Sequence, residues 1–309
     1  MEITFAELGL NEQILAGVAT LGFNAPTPVQ AAAIPAVLAG KDVVASAQTG
    51  TGKTAAFMLP TLQRIAVEKP HEAENPDAKE RNAASGRNAA SGRNAKRGDA
   101  KRGDVRRNAY PRALIITPTR ELAAQIDAVA KSVCASTGQQ AVIVTGGARY
   151  KHQITALQKG CDVLVATPGR LIDLLDKKHT SLENIQVLVL DEADRMLDMG
   201  FWPSVHRIME QLPKAHQTLL FSATLPASIT STIDALLKDP ERIEIARTGQ
   251  TAATIEQHLC SVTQGQKPQL LKALIDSFDP APERVLVFCR TKSRVDSIYK
   301  NLKAAGLKV

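Results

Sequence analysis

A chain of 309 residues is long enough for one complete domain and part or all of a second. Hydrophobic residues at 44% and charged residues at 22% suit a globular protein with a core, and no apolar run approaches the roughly 20 residues that span a bilayer. The net charge of +7 is local: nine of the 38 Lys/Arg and two of the 31 Asp/Glu lie in residues 81–107, leaving 29 of each sign elsewhere. Polyanion contact is therefore expected of one segment, not of the whole surface.

Along the chain, Met1-Glu2-Ile3-Thr4 carries no basic region and no apolar stretch after it, so it does not read as a secretion signal. Short β-branched runs then alternate with helical patterns. The predicted strands are Asp42–Ala45, Ala113–Thr117, Ala141–Thr145, Asp162–Ala166, Val187–Leu190, Thr218–Phe221 and Arg242–Ile245. Continuous apolar runs such as Val187-Leu188-Val189-Leu190 fit strands buried on both faces. Helices between such strands imply right-handed crossovers and an α/β, doubly wound, mostly parallel sheet over residues 1–246. Ligands of such sheets sit beyond the carboxyl ends of the strands.

Residues 70–109 break the pattern. They hold tandem copies of Arg-Asn-Ala-Ala-Ser-Gly (81–86, 87–92) and Ala-Lys-Arg-Gly-Asp (95–99, 100–104), with almost no large apolar residue. Such a segment cannot bury a core and reads as a disordered basic insertion. Without aromatic residues it cannot stack bases, so any nucleic-acid contact would be with phosphates; the plain alternative is a solvated passenger loop. A polar linker is expected over 247–253. After it come a possible strand (Ile255–Val262), a helix (Lys267–Ser277), a strong strand (Val285–Cys289) and a helix (Ser293–Ala305), the start of a second α/β unit. The cysteines (Cys134, Cys161, Cys260, Cys289) form no CxxC pair, so a zinc site or disulfide framework is not expected, and a cytoplasmic protein with reduced thiols fits.

Two motifs carry chemistry. The first is Ala47-Gln48-Thr49-Gly50-Thr51-Gly52-Lys53-Thr54, between a strand and a helix. Gly50 and Gly52 let the backbone fold around a phosphate without Cβ obstruction, and the following helix aims its N-terminus at the anion. In this role Lys53 contacts the β- and γ-phosphates and the Thr54 hydroxyl ligates Mg²⁺. Ala47 stands where the general phosphate-binding loop has its first glycine. The second motif is Asp191-Glu192-Ala193-Asp194, straight after a buried strand. Acids there are ordinarily a helix cap or a solvated turn. Paired with the phosphate loop, Asp191 becomes the metal partner, commonly through water, and Glu192 the residue that orients the attacking water.

These residues carry a resemblance. Asp191–Asp194 spells DEAD, and its surroundings through Phe201 resemble the DEAD-box RNA helicases, of the bacterial type and RhlE-like. Gly22-Phe23-Asn24-Ala25-Pro26-Thr27-Pro28-Val29-Gln30 resembles their adenine-reading motif. By that resemblance Gln30 bonds the adenine edge and the upstream Phe5 packs on the ring. Further matches are Pro118-Thr119-Arg120-Glu121-Leu122, Gly146-Gly147, Thr167-Pro168-Gly169-Arg170 and Ser222-Ala223-Thr224. The family implies a RecA-like ATP-binding domain, ATP and Mg²⁺ as ligands, and RNA as partner.

Several matching segments suit a sequence-independent grip on an RNA backbone. Arg120 and Arg170 can neutralise phosphates, Gly147 and Gly169 permit close approach, and Thr119 and Thr167 offer hydroxyls or helix-start N–H groups. Taken singly each is a loop or cap residue; the resemblance assigns them to RNA. Ser222 and Thr224 are, in the family, the coupling between nucleotide state and rearrangement on RNA, and a strand-to-helix cap is compatible with that role.

Val285-Leu286-Val287-Phe288-Cys289-Arg290-Thr291-Lys292 resembles the start of the family's second RecA-like domain, so residues 254–309 are expected to be an incomplete copy of it. The family's arginine-rich motif has no counterpart before Val309. Transition-state arginines of that kind contribute roughly 10³–10⁵ in rate. The expectation is that this chain binds nucleotide but hydrolyses it weakly, and that a longer form is an ATP-dependent RNA helicase separating duplexes locally. The alternative is a nucleotide- and RNA-binding fragment without helicase activity. A DNA translocase sharing the phosphate loop is disfavoured by Gln30 with its flanking prolines and by the Pro118–Leu122 and Ser222–Thr224 segments.

Overall fold

The computed structural model describes residues 3–48, 50–67, 110–225, 237–245, 256, 258–278 and 284–309. The basic insertion at 70–109 and the linker at 247–253 lie outside the described residues. The chain divides into two compact units, Met1–Thr248 and Gly249–Val309.

In the first unit all seven predicted strands form, each within a residue of its expected ends. They are β1 (Val43–Ser46), β2 (Ala113–Ile116), β3 (Ala141–Val144), β4 (Val163–Ala166), β5 (Val187–Asp191), β6 (Gln217–Ser222) and β7 (Glu241–Glu244). They make one sheet in the order β3-β4-β2-β5-β6-β1-β7, and every pairing is parallel. The helices of this unit are α1 (Glu12–Thr20), α2 (Pro28–Leu38), α3 (Lys53–Val67), α4 (Arg120–Thr137), α5 (Tyr150–Gln158), α6 (Pro168–Asp176), α7 (Ala193–Asp198) and α8 (Trp202–Met209).

Side chains alternate across a strand, and the core divides accordingly. Val43, Ala45, Ala113, Ile115, Val187, Val189, Leu219 and Phe221 face one apolar layer, shared with α1 to α4. Their neighbours Val44, Leu114, Ile116, Leu188, Leu190 and Leu220 face the other, shared with α5 to α8. Both layers are needed because a parallel strand buried on two sides leaves no polar face for water. Phe57 of α3 meets Phe221 edge-on with centroids 5.2 Å apart, pinning the helix that follows the phosphate loop to the middle of the sheet.

The strand order sorts the motifs. Neighbours β5, β6 and β1 end in the DEAD segment, Ser222-Ala223-Thr224 and the phosphate loop. Neighbours β3, β4 and β2 end in Gly146-Gly147, Thr167–Arg170 and Pro118–Leu122. All six loops leave the same carboxyl edge, because parallel pairing points every strand the same way. The motif-bearing loops thus fall in two adjoining groups along that edge.

The second unit contains α9 (Lys267–Ser277) and α10 (Lys292–Ala304), as expected. Its two expected strands do not form among the described residues: 258–262 and 285–289 pair with no neighbour. Leu286 is 79% and Phe288 88% exposed. Apolar, β-branched composition favours a strand only where a partner ladder is present.

Candidate nucleotide site and nucleic-acid face

The phosphate loop begins on a strand end that is tied to its neighbour. Ala47 N–H donates to the Ser222 carbonyl at 3.0 Å, and Ser46 Oγ to the Ala223 carbonyl at 3.4 Å. The loop then turns tightly, with the Thr51 hydroxyl donating to the Gln48 carbonyl at 2.8 Å. Gly50 and Gly52 adopt φ of 85° and 90°, the left-handed region in which a Cβ is strained. Thr49 lies outside the described residues. Lys53 and Thr54 open α3.

Lys53 is 7% exposed and Asp191 5% exposed, and both carry a buried atom, Nζ and Oδ1, without a hydrogen-bond partner. Unsatisfied buried polar atoms are costly, and two of opposite charge at one strand edge point to a ligand between them. Burial pushes the Asp191 carboxyl up to about 6, against the opposing pull of the Lys53 charge and reinforced by Glu192. Since β6 lies between β5 and β1, the two motifs stand two strand spacings apart, about 9.6 Å. The two side chains attract each other electrostatically yet share no hydrogen bond. Among the described residues no three His, Cys, Asp or Glu side chains cluster as a metal cage.

Glu192 sits in the left-handed region at φ 53°, a conformation that costs a non-glycine residue about 1–2 kcal/mol. Its Oε2 accepts from Arg195 Nη1 at 3.0 Å. Gln30 is buried, its Oε1 accepting from the Thr27 N–H at 2.9 Å and its Nε2 donating to the Gly52 carbonyl at 3.1 Å. The glutamine therefore grips the phosphate loop itself. A Cβ on Gly52 would collide with that Nε2, so a side chain there would push the glutamine off its contact as well as strain the φ. Phe5 is 5% exposed and belongs to the core, and it stacks on the half-exposed Phe23 at 6.5 Å. Phe23, within the quoted motif but not singled out from sequence, offers the more accessible ring.

Ser222 and Thr224 meet a residue that sequence reasoning passed over. Asp194 Oδ2 accepts from the Thr224 N–H at 2.9 Å and from its hydroxyl at 2.8 Å. Ser222 Oγ accepts from the Asp194 N–H at 3.2 Å and donates to the Thr224 carbonyl at 2.7 Å. The last acid of the DEAD segment thus clasps the loop after β6.

On the other half of the edge, Thr119, Arg120, Gly147, Thr167, Gly169 and Arg170 all line one concavity of about 710 Å³. Thr119 caps α4 by accepting from the Leu122 N–H at 3.3 Å. Arg120 Nη1 donates to the Gly146 carbonyl at 3.4 Å, and Arg170 Nη1 to the Ala148 carbonyl at 3.3 Å. Thr167 Oγ1 accepts from the Gly146 N–H at 3.4 Å. Met199 and Phe201 complete the wall; following the DEAD helix, they read from sequence as ordinary apolar residues.

A family model described as DEAD/DEAH box helicase matches residues 27–232, about two thirds of the chain. The chain belongs to the DEAD/DEAH box helicase family. The seven-stranded parallel sheet is its RecA-like α/β fold. Among curated relatives, the DEAD-box chain is 38% identical over 304 residues to the RNA helicase CrhR of Synechocystis, covering 98% of itself and 53% of that protein. It is 36% identical over 310 residues to the ATP-dependent RNA helicase RhlB of Vibrio vulnificus, covering 100% and 63%. To the DEAD-box ATP-dependent RNA helicase CshA of Streptococcus pneumoniae it is 37% identical over 304 residues, covering 98% and 50%. The DEAD-box chain thus spans between 50% and 63% of these bacterial relatives. No helix among the described residues is long and apolar enough to cross a membrane.

Proposed function

We propose that this DEAD-box chain binds ATP with Mg²⁺ at the β1, β5 and β6 ends and grips the backbone of single-stranded RNA at the β2, β3 and β4 ends. It serves ATP-dependent local separation of RNA duplexes. The observation that carries this reading is the pair of oppositely charged groups, Lys53 Nζ and Asp191 Oδ1, both buried without a hydrogen-bond partner and attracting each other at the strand edge where the candidate phosphate loop lies.

Lys53 would neutralise phosphate oxygens, with the loop amides around Gly50 and Gly52 supplying further donors. Thr54 and Asp191 would hold Mg²⁺, Asp191 through water. When bound, the cation supplies charge neutralisation at the phosphates. Glu192 is placed on the same strand end to orient water, once its carboxylate leaves Arg195 or turns beside it. Phe5, Phe23 and Gln30 form the adenine side, where Gln30 links base recognition to the loop through Gly52. Asp194 relays the state of the DEAD segment to Ser222 and Thr224.

The RNA grip addresses sugar and phosphate, so it carries little sequence preference. RNA as the nucleic acid is supported by the names of the relatives, and residues 254–309 are read as part of a second RecA-like domain. Duplex separation follows if ATP favours the RNA-bound closed form over the open one, since a ligand shifts an equilibrium only by its differential affinity.

The two sites are tested apart. Lys53→Ala should abolish Mg²⁺-dependent binding of a fluorescent ATP analogue and leave RNA affinity without nucleotide unchanged. Arg120→Ala with Arg170→Ala should do the reverse. Analogue binding that persists in Lys53→Ala, or RNA binding indifferent to both arginines, would reject the reading.

A further inference from the structure

The concavity lined by Arg120 and Arg170 has a feature behind it that no motif announces. Tyr150, the first residue of α5, is half-buried against the apolar layer of α5 to α8. The Arg170 guanidinium carbon lies 5.1 Å from the centre of its ring, and Lys177 Nζ lies 4.8 Å from the same centre. His179 meets the ring edge-on at 5.8 Å. Two cations therefore share one aromatic ring, and they differ in what else they do. Lys177 is paired with Asp173 at 2.7 Å, one turn earlier on the same helix. Among the described residues Arg170 forms no such ion pair, and its one hydrogen bond is to the Ala148 carbonyl at 3.3 Å. Most of its five donors stay available to a ligand in the concavity.

We propose that Tyr150 is a positioning residue for the RNA grip: its ring holds the Arg170 guanidinium by cation–π attraction and presents the remaining donors to a backbone phosphate. This rests on the reading of the concavity as the RNA site.

An arginine side chain is long and rotamer-rich, and freezing it at the moment of binding weakens the complex. Contact with an aromatic face restrains the planar guanidinium beforehand while leaving its edge N–H groups free, which an ammonium cannot reproduce. The ring is itself fixed from two sides, by its place at the start of a helix and by His179. The Arg170 guanidinium is held in addition by the Ala148 carbonyl, in the glycine-containing loop that also carries the Arg120 contact. Tyr150 thus couples α5 to α6 at the point where the nucleic acid would enter. It touches neither a phosphate nor the nucleotide.

The test measures binding of fluorescent oligouridylate to the full 309-residue chain by anisotropy, over a series of salt concentrations. Tyr150→Phe keeps the ring and should bind within about twofold of wild type. A trifluorinated phenylalanine at position 150 keeps the ring's shape and depletes its negative face; it should bind about two- to fivefold more weakly than Tyr150→Phe. That difference should disappear in the Arg170→Ala background. A ring serving only to fill space would give equal affinities for the two phenylalanine forms and overturn the inference. A large loss in Tyr150→Phe would also overturn it, by transferring the role to the hydroxyl. If Arg170→Ala alone binds like wild type, the reading of Arg170 as a phosphate contact fails, a result distinct from equal affinities with Arg170 still required. Tyr150→Leu is the fallback should the fluorinated form be produced poorly; with its fold verified by circular dichroism, it should weaken binding and lose the further effect of Arg170→Ala.

Discussion

Replacing Asp194 with asparagine preserves the side chain's shape while removing its charge and one of its two acceptors. In the wild type, Oδ2 takes both the N–H and the hydroxyl of Thr224, and Oδ1 takes the Arg195 N–H at 3.0 Å. An amide with its oxygen toward Thr224 must set its NH₂ against the Arg195 N–H, donor against donor. Turned the other way, it opposes the Thr224 N–H. One hydrogen bond to a charged acceptor is lost in either case and the others weaken, and a bond of that kind contributes about 1.5–3 kcal/mol. Asp194 is only half-buried, so the loss should be about 1–3 kcal/mol. The pH dependence follows from linkage. Burial raises the Asp194 pKa, but the bonds from Thr224 and Ser222 outweigh it and hold the carboxyl below its ordinary 3.8. A lowered pKa contributes stability that is complete above the unfolded value and lost as pH falls through the folded one. Urea unfolding followed by circular dichroism should therefore show Asp194→Asn less stable at neutral pH, with the difference closing as pH falls below 3.8. An undiminished difference at low pH, or none at neutral pH, would refute this account of the clasp.

Three further outcomes follow from other sites. Gly147→Ala should weaken RNA binding by about 1 kcal/mol, roughly fivefold, because the φ is +76° and the Arg120 guanidinium must move aside to admit a Cβ; anisotropy titration measures it, and unchanged affinity would show that Arg120 is not set for RNA. In EDTA, Asp191→Asn should be more stable than wild type by about 1–3 kcal/mol at alkaline pH. The raised pKa of Asp191, about 6, makes its ionised form a cost to the fold that is absent below 3.8 and grows until pH passes 6, so thermal melts of the two proteins should converge in acid. Deleting residues 78–107 removes a surplus of +7; weaker RNA binding with a flatter dependence on salt marks the segment as a tether, and unchanged binding marks it as a passenger.

Much of the first unit was legible because its strands are buried on both faces, which writes them as uninterrupted apolar runs between helices. Val187–Leu190 needed only one correction, the inclusion of Asp191 as the last paired residue. The same reasoning failed at Val285–Cys289, whose composition is as strand-like, because a ladder depends on a partner that local sequence does not reveal. The candidate phosphate loop at 47–54 and the acids at 191–192 stood out by type and spacing. The clasp of Asp194 on Thr224 was not, since it requires β5 and β6 to be neighbours across a helix pair. Phe23, Met199 and Phe201 escaped notice for a different reason: an apolar or aromatic residue inside a motif reads as packing until its exposed face is known, and Tyr150, outside every motif, reads as ordinary packing at a helix start.

The central claim is that the phosphate loop and Asp191 serve a single metal-bound nucleotide. Crystals grown with a non-hydrolysable ATP analogue and Mn²⁺ in place of Mg²⁺ test it through the anomalous signal of the metal. One manganese site is predicted, on the phosphates, with Thr54 on one side and Asp191 on the other, directly or through a water. A nucleotide seated on Lys53 with its manganese remote from Asp191, or a cleft without nucleotide at saturating analogue, would contradict it.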